Sequence, residues 1–533
     1  MVRAYARSSS PKESIFIYNA MRRNGVSPDN YTLPVVLKAC SRMLCARKGK
    51  EIHGVSFKFG FEFDAFVQNS LISMYFVCGM VENARKVFNL IPDFVRDVVS
   101  WNSMISGYLQ SGFCLEALEM FGCMCVEKSV SPNNVTVVGA VNACAKMGNI
   151  VLGKMIHGFV VASGFVVLDV YLGSSLIDMY AKCGFIEDSR NVFDGMFERN
   201  AVCWTAMIAG YTHLGLFKEA IELFREMQLV GVKAMDATVA CVASACGNLG
   251  VLDQGRWVHA YCDRIEIGMN LNVKNALIDM YSKCGDINKA LEIFNELVQK
   301  DVFSWSVMIN GLAVNGNSDK ALDLFSHMES LGGVRPNEVT FLGLLSACSH
   351  GGFVDKGFYY LNSMTKTYNL TPRIEHYSCM IDLLGRANLL IEAEKFLRAM
   401  PMEPDAAIWR SLLFSSTNNR NVELAEYAAK QILDLEPRKC GGHVLLSNTY
   451  AAASRWNDVK RVRRNMGVCE IRKQPGCSFV EIDGDVHEFF VSDTSHPQTH
   501  MIYETVFGIY RFLQSERYVM DALDCFESAT TQD

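Results

Sequence analysis

The chain reads LIDMYSKCG at residues 277–285 and LIDMYAKCG at 176–184, with a looser copy, LISMYFVCG, at 71–79 and a decayed one, MIDLLGRAN, at 380–388. The copies start 105, 101 and 103 residues apart. A fixed period constrains a fold more than any single motif, because each copy must take the same local structure and meet its neighbours in the same way. Two other anchors keep this step. Trp101, Trp204 and Trp305 stand in VVSWNSMI, AVCWTAMI and VFSWSVMI, and Cys40, Cys144, Cys246 and Cys348 in LKACSR, VNACAK, ASACGN and LSACSH. The interleaved anchors divide each long period into three related units of about 31 to 36 residues.

One unit predicts the structure of all. In WTAMIAGYTHLG (204–215), Trp204, Met207, Ile208 and Tyr211 fall at i, i+3, i+4 and i+7, the spacing of one helical face. Gly215 ends that helix; Phe217, Ala220, Ile221, Phe224 and Met227 mark a second, and Gly231 stops it. Ala220 sits where the two helices must approach closely. A lone pair of short helices cannot bury its apolar faces, whereas stacked pairs share a continuous core. The expected fold is all-α, an α-solenoid of helix-turn-helix repeats.

Several function classes lose their support at this stage. The 533 residues carry a formal net charge of −6, so a nucleic-acid partner would need basic residues gathered locally. No apolar run reaches membrane length, and FVVASGFVVL (159–168) stops at Asp169. The 19 cysteines include no C-x-x-C and recur in repeat register, as small buried apolar residues in a reducing compartment do. His53, His157 and His259 recur in GKEIHG, GKMIHG and GRWVHA, which reads as packing or capping. No phosphate loop, HExxH or GxSxG is present, so no catalytic residue, metal ligand or cofactor is expected.

These signatures resemble the plant pentatricopeptide repeat family, in the subclass that alternates long, short and standard repeats. SWNSMISGY, LIDMYAKCG and the F-x-x-x-L-x-A-C pattern carry the resemblance over residues 1–405. Residues 406–466 look like its helical extension motifs (E-type). QPGCSFVEIDGDVHEFFVSD, within 467–495, reads as a β-hairpin about Asp483-Gly484, leaving 496–533 as a tail. In longer relatives that hairpin leads to a DYW-type cytidine deaminase domain. Zinc deaminases need H-x-E and C-x-x-C. This chain matches H-x-E only at His327-Met328-Glu329, inside a repeat helix, and should not deaminate by itself. Tyr5, Tyr108 and Tyr211 share one slot, so the chain is expected to begin inside a first helix, with a longer upstream product or a degenerate first repeat; no transit peptide is evident.

A polar residue follows the aromatic slot of each short and standard repeat: Asn69, Asn102, Ser174, Thr205, Asn275, Ser306 and Ser378. Those repeats close on Asp97, Asn133, Asn200, Met235, Asp301, Asn337 and Asp405. Residue type alone leaves helix capping and base recognition as equal alternatives. The resemblance favours recognition, because the family hydrogen-bonds bases from these two places, one base per repeat. It implies the target N-U-Y-N-A-N-N-U-A-N-G, counted from the long repeat at 30–64, with Thr205–Met235 discriminating poorly. The long repeats, with Pro34, Val138, Ala240 and Leu342 in the first slot, should be permissive.

The implied function is sequence-specific binding of single-stranded organellar RNA for C-to-U editing, with a DYW-type deaminase and other editing factors recruited in trans. Splicing or transcript stabilisation is the alternative, and a protein-binding scaffold a more distant one. A monomer in the mitochondrion or chloroplast, the mitochondrion favoured, with no membrane partner, completes the expectation.

Overall fold

The computed structural model describes residues 2–7, 10–127, 130–163, 169–264, 270–437, 439–469, 471, 477–482, 485–490 and 494–515. They divide into two units, Met1–Ala245 and Cys246–Asp533. In each, helices of mostly 9 to 14 residues alternate as pairs, and first helices pack on the first helices of adjacent repeats. Each unit is thus built as the expected α-solenoid.

The nonapeptide is explained residue by residue. In the first unit, LIDMYAKCG lies in the first helix Val170–Lys182 and the turn after it. Leu176 and Ile177 are fully buried. Met179 lies so close to Gly153, in the second helix of the preceding long repeat, that an added Cβ there would stand 2.5 Å from its sulfur. The hydroxyl of Tyr180 shares a hydrogen bond with His157 Nδ1 at 2.9 Å. Asp178 pairs with Lys182 at 2.7 Å on the solvent side. The second unit repeats the set: Met280 against Gly255, Tyr281 with His259 at 3.0 Å, and Asp279 with Lys283 at 2.8 Å. The histidines are therefore packing residues within helices, held below the ordinary imidazole range by burial.

The final glycine of the nonapeptide carries the turn. Gly184 and Gly285 take φ of 83° and 86°, the left-handed region that costs other L-residues about 1–2 kcal/mol. The decayed copy keeps the conformation with Asn388 at φ 58°, and Leu44 in the first long repeat takes φ 51°. Asn tolerates this region; leucine does not. The tryptophans are core as expected: Trp101, Trp204 and Trp305 meet Phe88, Phe193 and Phe294 edge-on, with ring centroids 4.9–5.2 Å apart.

The extension is again helical pairs, Ala406–Asn418 with Val422–Leu435 and Cys440–Ala452 with Trp456–Val468. Trp409, Leu412 and Ile432 share one buried cluster with Ile381 and Leu384 of the last repeat, so the stack continues without a break. Strands β1 (Cys477–Ile482) and β2 (Asp485–Phe490) pair antiparallel from Cys477↔Phe490 to Ile482↔Asp485. The register leaves two positions between them, and Asp483 and Gly484 lie outside the described residues. The tail, for which the sequence analysis proposed no element, contains a helix, Thr499–Ser515. Its signal was present in the i, i+4 and i+7 spacing of Ile502, Val506 and Ile509. No described helix is long and apolar enough to cross a membrane.

The turn makes a direct prediction. A Cβ at Gly285 would meet nothing within 4 Å, so Gly285→Ala should destabilise through backbone strain alone, by about 1–2 kcal/mol. Leu44 is 69% exposed, and Leu44→Gly should stabilise by about 1 kcal/mol. Urea unfolding followed by circular dichroism checks both.

Candidate nucleic-acid interface

The two sets of polar residues occupy different structural places. Asp97, Asn133, Asn200, Asp301, Asn337 and Asp405 are N-caps, each accepting from backbone N–H groups in the first turn of the next first helix. Asn69, Asn102, Ser174, Thr205, Asn275, Ser306 and Ser378 cap nothing. Each is the fifth residue of its first helix, a full turn inside. Capping therefore accounts for the closing residues and leaves the fifth residues without that explanation.

The fold brings some of these residues together and holds others apart. Asn69 Nδ2 donates to Asp97 Oδ1 at 3.2 Å, and Asn102 Nδ2 to Asn133 Oδ1 at 3.2 Å. Ser306 Oγ lies 3.5 Å from Asn337 Oδ1, the outer limit of a hydrogen bond. Ser174 instead donates to Tyr171 O at 3.0 Å, while Asn200 is occupied by the Val202 and Cys203 amides. Asp405 caps Ile408 at 2.9 Å. Thr205 donates back to Ala201 O at 2.7 Å, and Met235 brings no polar side-chain group. Asn69 Oδ1 and Asn275 Oδ1 are buried without a hydrogen-bond partner, and Asn275 Nδ2 faces the Asp301 carboxylate without a hydrogen bond of good geometry. Asn275 is 1% exposed. Orphaned amide atoms of this kind each cost about 1–3 kcal/mol in the free protein. Burial raises the carboxyl of Asp301, but the Ser304 amide and hydroxyl, and then the nearby Asn275 amide, outweigh it and hold it below the usual range.

Sequence reasoning missed three contributors. Thr136, Thr238 and Thr340, third in the first helices of long repeats, bond the fifth residue of the standard repeat before them. Thr136 Oγ1 donates to Asn102 Oδ1 at 2.7 Å, while Thr238 and Thr340 share bonds with Thr205 and Ser306 at 2.5 and 2.7 Å. A threonine three residues into each long repeat was the available signal. The long repeats also carry a polar pair of their own. Asn30 donates to Asp64 at 3.1 Å and Asn134 to Asp169 at 2.6 Å, one helical turn before the apolar slots of Pro34 and Val138.

The second class missed is apolar. The second residue of most first helices is exposed: Phe66, Val99, Val135, Tyr171 and Val202 in the first unit, Phe303 and Val339 in the second, while Tyr31, exposed likewise, is the N-cap of its helix. Residues two and five are i, i+3 neighbours, so each exposed apolar side chain shares a helix face with a fifth-residue slot. Val99, Asn102 and Val135 line an open cleft of about 320 Å³, within the size range of small-ligand sites. Ala237, Asn272 and Glu375 interrupt the row. Lys182, Lys283 and Arg386, in the last turns of three first helices, pair with Asp178, Asp279 and Asp382, and Lys146 in a fourth donates to Leu109 O.

The profile described as PPR repeat matches residues 1–26, 69–94, 99–128, 174–200, 202–232, 274–302 and 375–403, and that of the PPR repeat family matches 300–350. A pentatricopeptide repeat-containing protein of Arabidopsis thaliana named as chloroplastic is 40% identical over 99% of this chain and 75% of its own length. The chain belongs to the pentatricopeptide repeat family. A second Arabidopsis thaliana pentatricopeptide repeat-containing protein, named as mitochondrial, is 38% identical over 97% of the chain and 80% of its own length. The profile of the E motif matches residues 419–481 and so runs through the helical extension into β1. The crystal structure of a maize pentatricopeptide repeat protein aligns with 88% of the chain and 78% of its own, at TM-score 0.48 and 18% identity. The pentatricopeptide matches from residue 69 onward, outside 300–350, coincide with the short and standard repeats whose fifth residue is polar.

Because Asn275 Oδ1 is buried and unpaired while its Nδ2 faces the Asp301 carboxylate, the nearly isosteric Asn275→Leu removes an orphaned acceptor and a weak contact together and should stabilise the free protein by no more than about 1 kcal/mol. A denaturation midpoint that stays the same or falls would mean the amide is satisfied in solution.

Proposed function

We propose that this pentatricopeptide repeat protein binds a single-stranded organellar RNA by sequence and directs C-to-U editing, with the deaminase supplied in trans. The observation that carries the reading is a pattern repeated along the first helices. The fifth residue is polar in every short and standard repeat and buried at Asn69, Thr205, Asn275 and Ser306, and the polar N-caps are partly or fully exposed. At Phe66, Val99, Tyr171, Val202 and Phe303 an exposed apolar side chain stands one turn earlier on the same face. A base inserted there would lie against apolar side chains and present its edge to the polar pair. It would also supply the partner that Asn69 Oδ1 and Asn275 Oδ1 lack.

The residues of each pair set the base. Asn69 with Asp97 and Asn275 with Asp301 are assigned uracil, Asn102 with Asn133 a pyrimidine, Ser174 with Asn200 and Ser306 with Asn337 adenine, and Ser378 with Asp405 guanine. The E-motif match supports editing as the outcome, and relatives named as chloroplastic and mitochondrial support an organelle. Deamination is assigned to a partner because this chain has no C-x-x-C. The one H-x-E lies within the helix Ser318–Leu331, where the His327 ring packs on Trp305 and Glu329 accepts from the Tyr368 hydroxyl.

The sharpest test copies one repeat into another. Ser306 with Asn337 and Thr340 occupies the places that Asn102, Asn133 and Thr136 occupy earlier, so the fold already accommodates asparagine in that slot. Ser306→Asn with Asn337→Asp should move the preference at one base from adenine to uracil, each mismatch costing about 1–3 kcal/mol. Fluorescence anisotropy on four RNAs differing at that base measures it. Equal change for all four bases, or none, would reduce these residues to structural roles. A second expectation concerns chemistry: purified protein with zinc should bind the RNA and leave its cytidines intact by sequencing. Conversion by the protein alone would end the in-trans assignment.

A further inference from the structure

The hairpin follows the helical stack in sequence, yet β1 touches a helix that begins more than two hundred residues earlier. The Glu481 carboxylate spans the start of the helix Leu252–Arg264. Its Oε2 accepts from the Asp253 N–H at 2.9 Å and its Oε1 from the Gln254 N–H at 2.8 Å. These are the second and third amides of the helix, among the four that no carbonyl within it can satisfy.

The residue before this helix cannot cap it with its side chain. Val251, which precedes it, is apolar and 1% exposed. Elsewhere Asn149, Asp286 and Asn421 occupy the position before a second helix and cap it locally. Glu481 does from a distant segment what those residues do from the adjoining one. A carboxylate in that place makes charge-assisted hydrogen bonds and faces the positive end of the helix dipole. The surroundings agree. Gln254 is 5% exposed, and the thiol of Cys284 is pushed up to about 11, mainly by burial and then by the Glu481 charge.

We propose that Glu481 is a positioning residue that anchors the C-terminal hairpin to the helix Leu252–Arg264. The contact removes freedom that chain connectivity alone would leave to the hairpin. Three of the assigned base-reading pairs, Asn275 with Asp301, Ser306 with Asn337 and Ser378 with Asp405, lie in sequence between its two ends. The consequence rests on the functional reading above: a deaminase held by the extension or hairpin would stand at a set distance from the bases those residues hold. Glu481 itself touches neither RNA nor the reacting cytidine.

The anchor is tested on the whole chain by hydrogen–deuterium exchange. In Glu481→Ala the Asp253 and Gln254 amides should exchange about tenfold faster or more, the loss expected for a charge-assisted pair. The isosteric Glu481→Gln, which keeps one acceptor oxygen, should fall between the two. Chymotryptic cleavage at Phe489 and Phe490 should accelerate in the same order. With target RNA and a deaminase added in trans, Glu481→Ala should edit about tenfold less at unchanged RNA affinity, since a second helix carries no base-reading residue. Unaltered exchange in Glu481→Ala overturns the anchor. Faster exchange with editing intact leaves a structural contact and overturns the positioning role. If the unmutated protein fails to bind RNA, the functional reading falls, while exchange and proteolysis still decide the anchor.

Discussion

Among the described residues, each repeat from Thr32 onward passes from its first helix to its second through one residue in the left-handed region, and the stack depends on that turn. Its place in the repeat is the same at Gly79, Gly184 and Gly285 in the short repeats, and at Gly112, Gly215 and Gly316 in the standard ones. The direction in which the second helix leaves decides which faces of the pair meet. Only with that direction constant can Met179 close over Gly153 and Met280 over Gly255, or Tyr180 and Tyr281 reach their histidines. Where glycine is lost, at Asn388, Arg420 and Ser454, the backbone keeps the same conformation. The surrounding burial then holds a residue in a region it would otherwise avoid.

The candidate interface shows two demands placed on the same residues. A closing Asp or Asn must cap the next first helix, because a stack of short helices exposes many amide groups at its ends. The carboxylate of Asp97 meets the demand with Oδ1, which takes the Ser100 amide, the Ser100 hydroxyl and the Asn69 amide together. Its Oδ2 is thereby left for another donor. Capping and base recognition are consequently compatible in one side chain. The fifth residues have no such second duty, and at Asn275 the free protein carries the cost of an unpaired acceptor.

Cysteine use follows the same logic. Cys144, Cys246 and Cys348 are fully buried, and burial pushes the thiols of Cys144 and Cys348 up to about 11 and 12. Neutral thiols at repeat register are small core residues rather than nucleophiles. The extension motifs extend that apolar stack past the last repeat, through Trp409 and Ile432, and hand over to a two-stranded hairpin where the helical period ends.

The sequence by itself determined the helix-pair repeat, the glycine turns, the aromatic and cysteine core and the strand pairing of the hairpin. Each of these follows from spacing along the chain, because neighbours in the structure are neighbours in register. It also named the closing and fifth residues, but could not separate capping from recognition, since Asn, Asp, Ser and Thr serve both. Only the tertiary structure showed which of them cap, by putting Asp97 at a helix start and Asn69 one turn inside its helix. The same holds for Thr340 against Ser306 and for the exposure of Phe66, Val99 and Phe303. Glu481 on the Asp253 amide is the extreme case, for no period or motif links two residues 228 positions apart. Contacts between repeats repeat in sequence; contacts that skip repeats exist only once the chain is folded.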